Sequence, residues 1–264
     1  VAPVSYPLRR IYGDRFSVAP LSVVVDPGRA ARIFGLTQGG HFSEKVTYVY
    51  RKQLEEADLI VINKCDASPP EILDRVVLAI NEAFPHAKTF VCSAKYGTNL
   101  EPWFKSLLSE EIPVSRPLEI NYDTYAEGEA LLGWLNCTVR LKTDQPFDGN
   151  RSLVALVDDI RNRVVNQGGR IAHLKATLDS HDGSGTLSVV SLVENNDEPD
   201  LRESLLDYVN GGSLVVNLRA EAEPVMLETV TRDAITALSG IDATIEHLEQ
   251  FKPGRPIPTH RMAL

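Results

Sequence analysis

Apolar runs of strand length alternate with amphipathic stretches through the first half of this chain, and the pattern changes beyond a charged, proline-containing segment at 110–117. The β-branched run at 21–26 closes on Asp26 and predicts a strand, which Pro27 and Gly28 end. Val46, Val49, Leu54 and Ala57 recur at roughly helical spacing and predict a helix over 42–57. Residues 58–64 make a second strand. Ser68 is then the expected N-cap of a helix with Pro69 at its first position and Glu71 three residues past the cap. That helix runs to about Phe84 and carries Ile72, Leu73, Val76, Val77 and Ile80. A strand over 88–94 and a helix from about Asn99 to Ser109 complete the half. Strands separated by helices imply βαβ units and a parallel sheet, with ligands at the C-terminal strand ends.

The boundary falls at 110–117, giving domains 1–115 and 116–264. Beyond it the sequence predicts a strand at 133–142, then a helix at 152–165 with Leu153, Leu156, Val157, Ile160 and Val164 on one face. Strands at 170–178 and 186–192 pair around a turn at 180–183. A strand at 213–219, a helix at 224–238 and a strand at 243–248 follow. The order is close to β-α-β-β-α-β with an extra strand. The expected fold class is α/β, a parallel-sheet domain followed by a smaller α+β domain of ferredoxin-like type, a scaffold most often used for binding or assembly.

Chemistry concentrates at the ends of two of the first-half strands. Asn63-Lys64-Cys65-Asp66 has N-K-x-D spacing. A carboxylate at Asp66 can accept from the ring N–H and the exocyclic amine of guanine together, a pattern adenine does not offer. Buried polar groups left unpaired by the wrong base are how such sites discriminate. Lys64 would lay its alkyl stem along the base, and Asn63 would tie the loop to its neighbours. Alone, this tetrapeptide equally describes a strand end and a turn. Ser93-Ala94-Lys95, at the end of the next strand and followed by the turn signal at 96–99, adds a loop able to bring a backbone N–H to the guanine carbonyl oxygen. Nowhere in the 264 residues is there a G-x-x-x-x-G-K-[ST] phosphate cradle.

Composition narrows the classes. The net charge of −9 and pI near 5.2 argue against a nucleic-acid surface, which needs clustered Lys and Arg. No apolar run is long enough to span a bilayer and the N-terminus shows no signal-peptide pattern, so the expectation is a cytoplasmic protein without a membrane partner. Cys65, Cys92 and Cys137 are odd in number and widely spaced, suggesting neither a disulfide scaffold nor a zinc pair; Cys92 and Cys137 read as small core hydrophobes. His173 and His181 flank the predicted hairpin, and neutral imidazole suits zinc, but single histidines so placed are more often surface or core residues. The run at 194–198 reads as a solvated loop, and the segment at 125–129 as interdomain packing.

These residues resemble the CobW-like GTPases, relatives of the nickel-insertion GTPases of hydrogenase and urease. The likeness lies in 21–26, in Gln53 to Asp58 leading into Asn63, Lys64 and Asp66, in 93–97, and in the tail 253–261. It implies a P-loop GTPase-type sheet domain, present here as its guanine-binding part, followed by a CobW C-terminal-like domain. It further implies GTP or GDP bound with Mg²⁺, the base held by Asn63, Lys64, Asp66, Ser93, Ala94 and Lys95. The implied activity is GTP hydrolysis coupled to delivery of zinc or cobalt to a metalloprotein client. The family's Cys motif, Walker A loop and catalytic residues have no counterpart in this sequence and would lie upstream of Val1, so no catalytic or metal residue is assigned and the chain alone is expected to hydrolyse no GTP. The rival reading is a non-catalytic adaptor derived from a GTPase fold.

Overall fold

The computed structural model describes residue 8, residues 11–13, 15–16, 18–37 and 43–109, and residues 131–254. Two compact units divide the chain, one covering 1–125 with 256–264, the other 126–255. The linker predicted at 110–117 and the segment at 125–129 lie outside the described residues, as does most of the tail motif.

The first unit is a mixed layer of helices on a three-stranded parallel sheet in the order β1-β2-β3: β1 (Ser22–Val25), β2 (Leu59–Ile62) and β3 (Lys88–Val91). All four residues of β2 are buried, as a central parallel strand requires; its apolar run is continuous for that reason. Four helices join and follow these strands: α1 (Pro27–Ile33), α2 (Glu44–Glu55), α3 (Pro70–Ala83) and α4 (Leu100–Ser109). Ala30 and Ala31 from α1, Leu54 from α2, and Val76 and Ile80 from α3 close over Val25, Ile60 and Ile62.

Two local expectations are corrected. Pro27 and Gly28 do end β1, but they also begin α1: Asp26 caps it, its Oδ1 accepting from Arg29 N–H at 3.0 Å, and Pro27 supplies the preset φ of a first helical residue. Ser68 is not the cap of α3. Pro69 holds that position at φ −56° and ψ 136°, because a residue preceding proline is driven out of the helical region, so the helix cannot start before Pro70.

The second unit is a six-stranded antiparallel sheet in the order β7-β6-β5-β8-β4-β9. Its strands are β4 (Leu132–Phe147), β5 (Arg170–Asp179), β6 (Leu187–Leu192), β7 (Asp200–Glu203), β8 (Val209–Glu221) and β9 (Asp242–Phe251). Helices α5 (Gly149–Asn166) and α6 (Pro224–Thr236) pack on one face. Setting aside the β6-β7 pair, the remaining order β9-β4-β8-β5 with its two crossover helices is the ferredoxin-like arrangement the sequence predicts. Two strands are added to that core rather than one. The short β7 is exposed at every position and carries no buried apolar signal by which a sequence reading would find it.

Alternation sorts β4 cleanly. Leu135, Cys137, Val139 and Leu141 enter the core against α5 and α6, while Trp134, Asn136, Thr138, Arg140 and Lys142 lie on the opposite face. Register aligns that second set with Arg219, Asn217, Val215, Ser213 and Gly211 of β8.

Candidate functional site

Three chain segments converge at the C-terminal ends of the parallel strands. Asn63 follows β2 and is held in line by its amide, which donates to the Val25 carbonyl at 3.0 Å. Its side-chain Oδ1 accepts from the Ala94 amide at 2.9 Å and lies 3.8 Å from the Cys92 thiol. The Cys65 amide donates to the Cys92 carbonyl at 3.1 Å. The 63–66 loop is therefore pinned to the 93–95 loop by a side chain and by backbone.

The 93–98 turn is closed independently. Ser93 and Thr98 exchange both backbone hydrogen bonds, at 3.1 and 3.0 Å, and the nearly fully buried Ser93 hydroxyl accepts from the Tyr96 amide at 3.3 Å. Gly97 at φ 70° and Asn99 at φ 57° occupy the left-handed conformations that this tight path needs, and each is a residue type that tolerates them. Lys95 is exposed, with its ammonium 5.4 Å from the centre of the Tyr96 ring.

Lys64 departs from the expected orientation. Its backbone is left-handed, at φ 65° and ψ 36°, and its ammonium bonds Asp26 Oδ2 at 2.9 Å instead of standing free to cover a base. Burial alone would push the Asp26 carboxyl up. The hydrogen bond and charge of Lys64, with the amide and charge of Arg29, outweigh it and hold Asp26 below the ordinary carboxylate range. Asp26 is the participant that sequence reasoning missed; an aspartate directly before Pro27 is the signal that would have exposed its capping role.

Asp66 sits in a single 3-10 turn, Cys65–Ala67, closed by the Ala67 amide on the Lys64 carbonyl at 3.0 Å, and its side chain is exposed. All six sequence-derived residues, Asn63, Lys64, Asp66, Ser93, Ala94 and Lys95, thus fall on two adjoining loops. The arrangement brings an acceptor carboxylate, backbone amides and the Lys95 ammonium together at the C-terminal strand ends, with Lys64 engaged by Asp26.

The histidine pair is not brought together. His173 lies within β5, six residues of extended strand or roughly 20 Å before Asp179, and His181 lies beyond the strand's end in the turn that follows. Among the described residues no group of three or more His, Cys, Asp or Glu is arranged to hold a metal ion, and no helix is long and apolar enough to cross a membrane. Cys92 and Cys137 are buried as expected, and burial raises both thiols, that of Cys137 to about 11.

No family model matches the chain, and no curated protein does. Among solved structures it is similar to the Zn(II)-bound YjiA GTPase from E. coli, at 13% identity and a TM-score of 0.28, over 89% of this chain and 66% of that one. A Zn(II)-bound triple mutant of YjiA matches at 14% identity and a TM-score of 0.27 with the same coverage. Translation elongation factor SelB from Methanococcus maripaludis, in complex with the GTP analogue GppNHp, matches at 9% identity and a TM-score of 0.21, over 77% of this chain and 56% of that one. The chain thus spans less than two thirds of the length of each. Likenesses this loose leave the functional argument to the chain's own residues.

Proposed function

We propose that this chain carries the guanine-reading half of a nucleotide site, with Asp66 as the acceptor for the base's two donors and the Ala94 region supplying a backbone amide to its carbonyl oxygen. The observation that carries the reading is the 2.9 Å bond from the Ala94 amide to Asn63 Oδ1, which couples the two loops at the strand ends where parallel sheets bind ligands. In this reading Lys64 exchanges Asp26 for the base face when nucleotide enters, or remains with Asp26 and shapes the loop from behind.

By resemblance, the whole protein would bind GTP or GDP with Mg²⁺ in the cytoplasm and couple hydrolysis to delivery of zinc or cobalt to a metalloprotein client. The described residues supply base contacts only; the phosphates, Mg²⁺ and cargo metal need groups that these residues do not provide. Base contacts without a phosphate cradle make binding weak, roughly millimolar.

Calorimetric titration with GDP and with ADP tests the base reading. GDP is expected to bind more tightly than ADP to the wild-type chain, and Asp66→Ala should abolish the difference. An unchanged GDP preference in that variant refutes the assignment. The adaptor reading draws on the engagement of Lys64 by Asp26; it wins if neither nucleotide binds while the variant and wild type remain equally stable.

A further inference from the structure

The second unit contains a pocket of about 640 Å³ at one end of the sheet face opposite α5 and α6, within the range of small-molecule sites. Arg140 and Lys142 line it from β4, Ser213 and the Gly211-Gly212 pair from β8, and Tyr208 stands beside them with its side chain largely exposed. Gly211, opposite Lys142 in register, leaves the floor without a side chain, and Gly212 follows it opposite Leu141. A Cβ at Gly211 would stand 2.3 Å from the Leu141 carbonyl oxygen and one at Gly212 2.2 Å from that of Asp179, so neither position accepts a side chain. Among the described residues no side chain from Gly211 covers this end of β8, next to Arg140 and Lys142.

Of the two acidic side chains in the lining, Glu246 is paired with Arg140, and Asp182 accepts from the Ser184 amide at 2.8 Å. The Ser184 hydroxyl and amide and the Ser180 hydroxyl hold Asp182 below its ordinary range. Lys142 has no ion pair among the described residues, although Asp242 lies opposite it in register. Arg140 spends one edge of its guanidinium on Glu246 and keeps further N–H donors. The two cations and two carboxylates of the lining balance in number, but Glu246 is taken by Arg140 and Asp182 by the Ser184 amide, which leaves the Lys142 ammonium as the group open to an incoming anion.

We propose that this cavity binds a small organic anion, its phosphate or carboxylate group held by Lys142 and the remaining donors of Arg140, and its planar part resting on the Tyr208 ring. Ser213, which pairs with Arg140 in register, adds a hydroxyl beside the anion. The acidic chain, without clustered Lys and Arg, favours a small molecule over nucleic acid.

The test uses the full chain, inorganic phosphate and phenyl phosphate, followed by backbone amide NMR and calorimetry at neutral pH. Saturable shifts are expected at Gly211, Gly212, Ser213 and Lys142. Phenyl phosphate should bind several-fold more tightly than inorganic phosphate, an advantage that Tyr208→Ala removes. Lys142→Ala should weaken both about tenfold, and Lys142→Glu should abolish them. Asp66→Ala should leave both unchanged, which separates this site from the proposed base-reading loops. Shifts scattered over the surface, or affinities unmoved by Lys142→Ala, would overturn the proposal. Lys142 is exposed on its strand, so its variants should fold; equal melting temperatures check this.

Discussion

Lys64 and Asp26, 38 residues apart, meet at 2.9 Å across the ends of two neighbouring parallel strands, and Lys64 adopts a left-handed backbone to do so. A lysine in that conformation costs roughly 1 kcal/mol that a glycine would not incur. Lys64→Ala loses the ion pair and keeps the strain, whereas Lys64→Gly loses the pair and relieves it. Chemical denaturation should therefore rank both wild type and Lys64→Gly above Lys64→Ala, the two variants differing by about 1 kcal/mol. Equal stability of the two would show that the backbone stores nothing there.

The same pair predicts an acid response. Asp26 has a folded-state value below its unfolded one, so its contribution is fully present above the unfolded range, near pH 4, and is lost as pH falls through the depressed folded value. Urea midpoints of wild type should drop more steeply below about pH 4 than those of Asp26→Asn. At neutral pH that variant should be less stable by about 1–2 kcal/mol, because its amide oxygen can still cap α1 but no charge remains to pair with Lys64. Parallel pH profiles would remove the electrostatic role.

Asn63→Ala releases the 93–95 loop while leaving the exposed Ala94 amide to water, so its stability cost is modest, about 1 kcal/mol. Its effect on GDP affinity should be larger, about tenfold, because the loop must then be ordered on binding. Asp66→Asn keeps the size of the side chain and removes its charge, and should reduce the preference for GDP over ADP. Calorimetry and denaturation on the same preparations give both readouts.

Thiol labelling should separate the three cysteines. Cys137 is buried with its thiol raised to about 11, and Cys92 is buried and also raised, so neither presents thiolate at neutral pH. Cys65 is partly exposed. Mass spectrometry of the native chain after brief alkylation should find modification at Cys65 alone, and at all three in denaturant.

Gly212→Ala should destabilise the second unit by roughly 2 kcal/mol or more, since the added methyl meets the backbone oxygen of Asp179 and no side chain can yield there. A melting temperature equal to wild type would show that β8 has a second way to pair.

The sequence by itself determined the elements whose apolar patterns are long and regular. The buried run of β2, the amphipathic face of α5 and the β5-β6 hairpin are written in spacing, because burying an apolar stripe is a local demand that each segment repeats many times. It also placed Asn63, Asp66 and Ser93 at strand ends, since those ends are where the apolar runs stop. Tertiary structure alone decided that Lys64 would face Asp26, that Asn63 Oδ1 would take the Ala94 amide, and that Arg140, Lys142 and Gly211 would share one cavity. Such meetings depend on strand order and register, which sum weak contacts over the whole sheet. No spacing within a single segment records them.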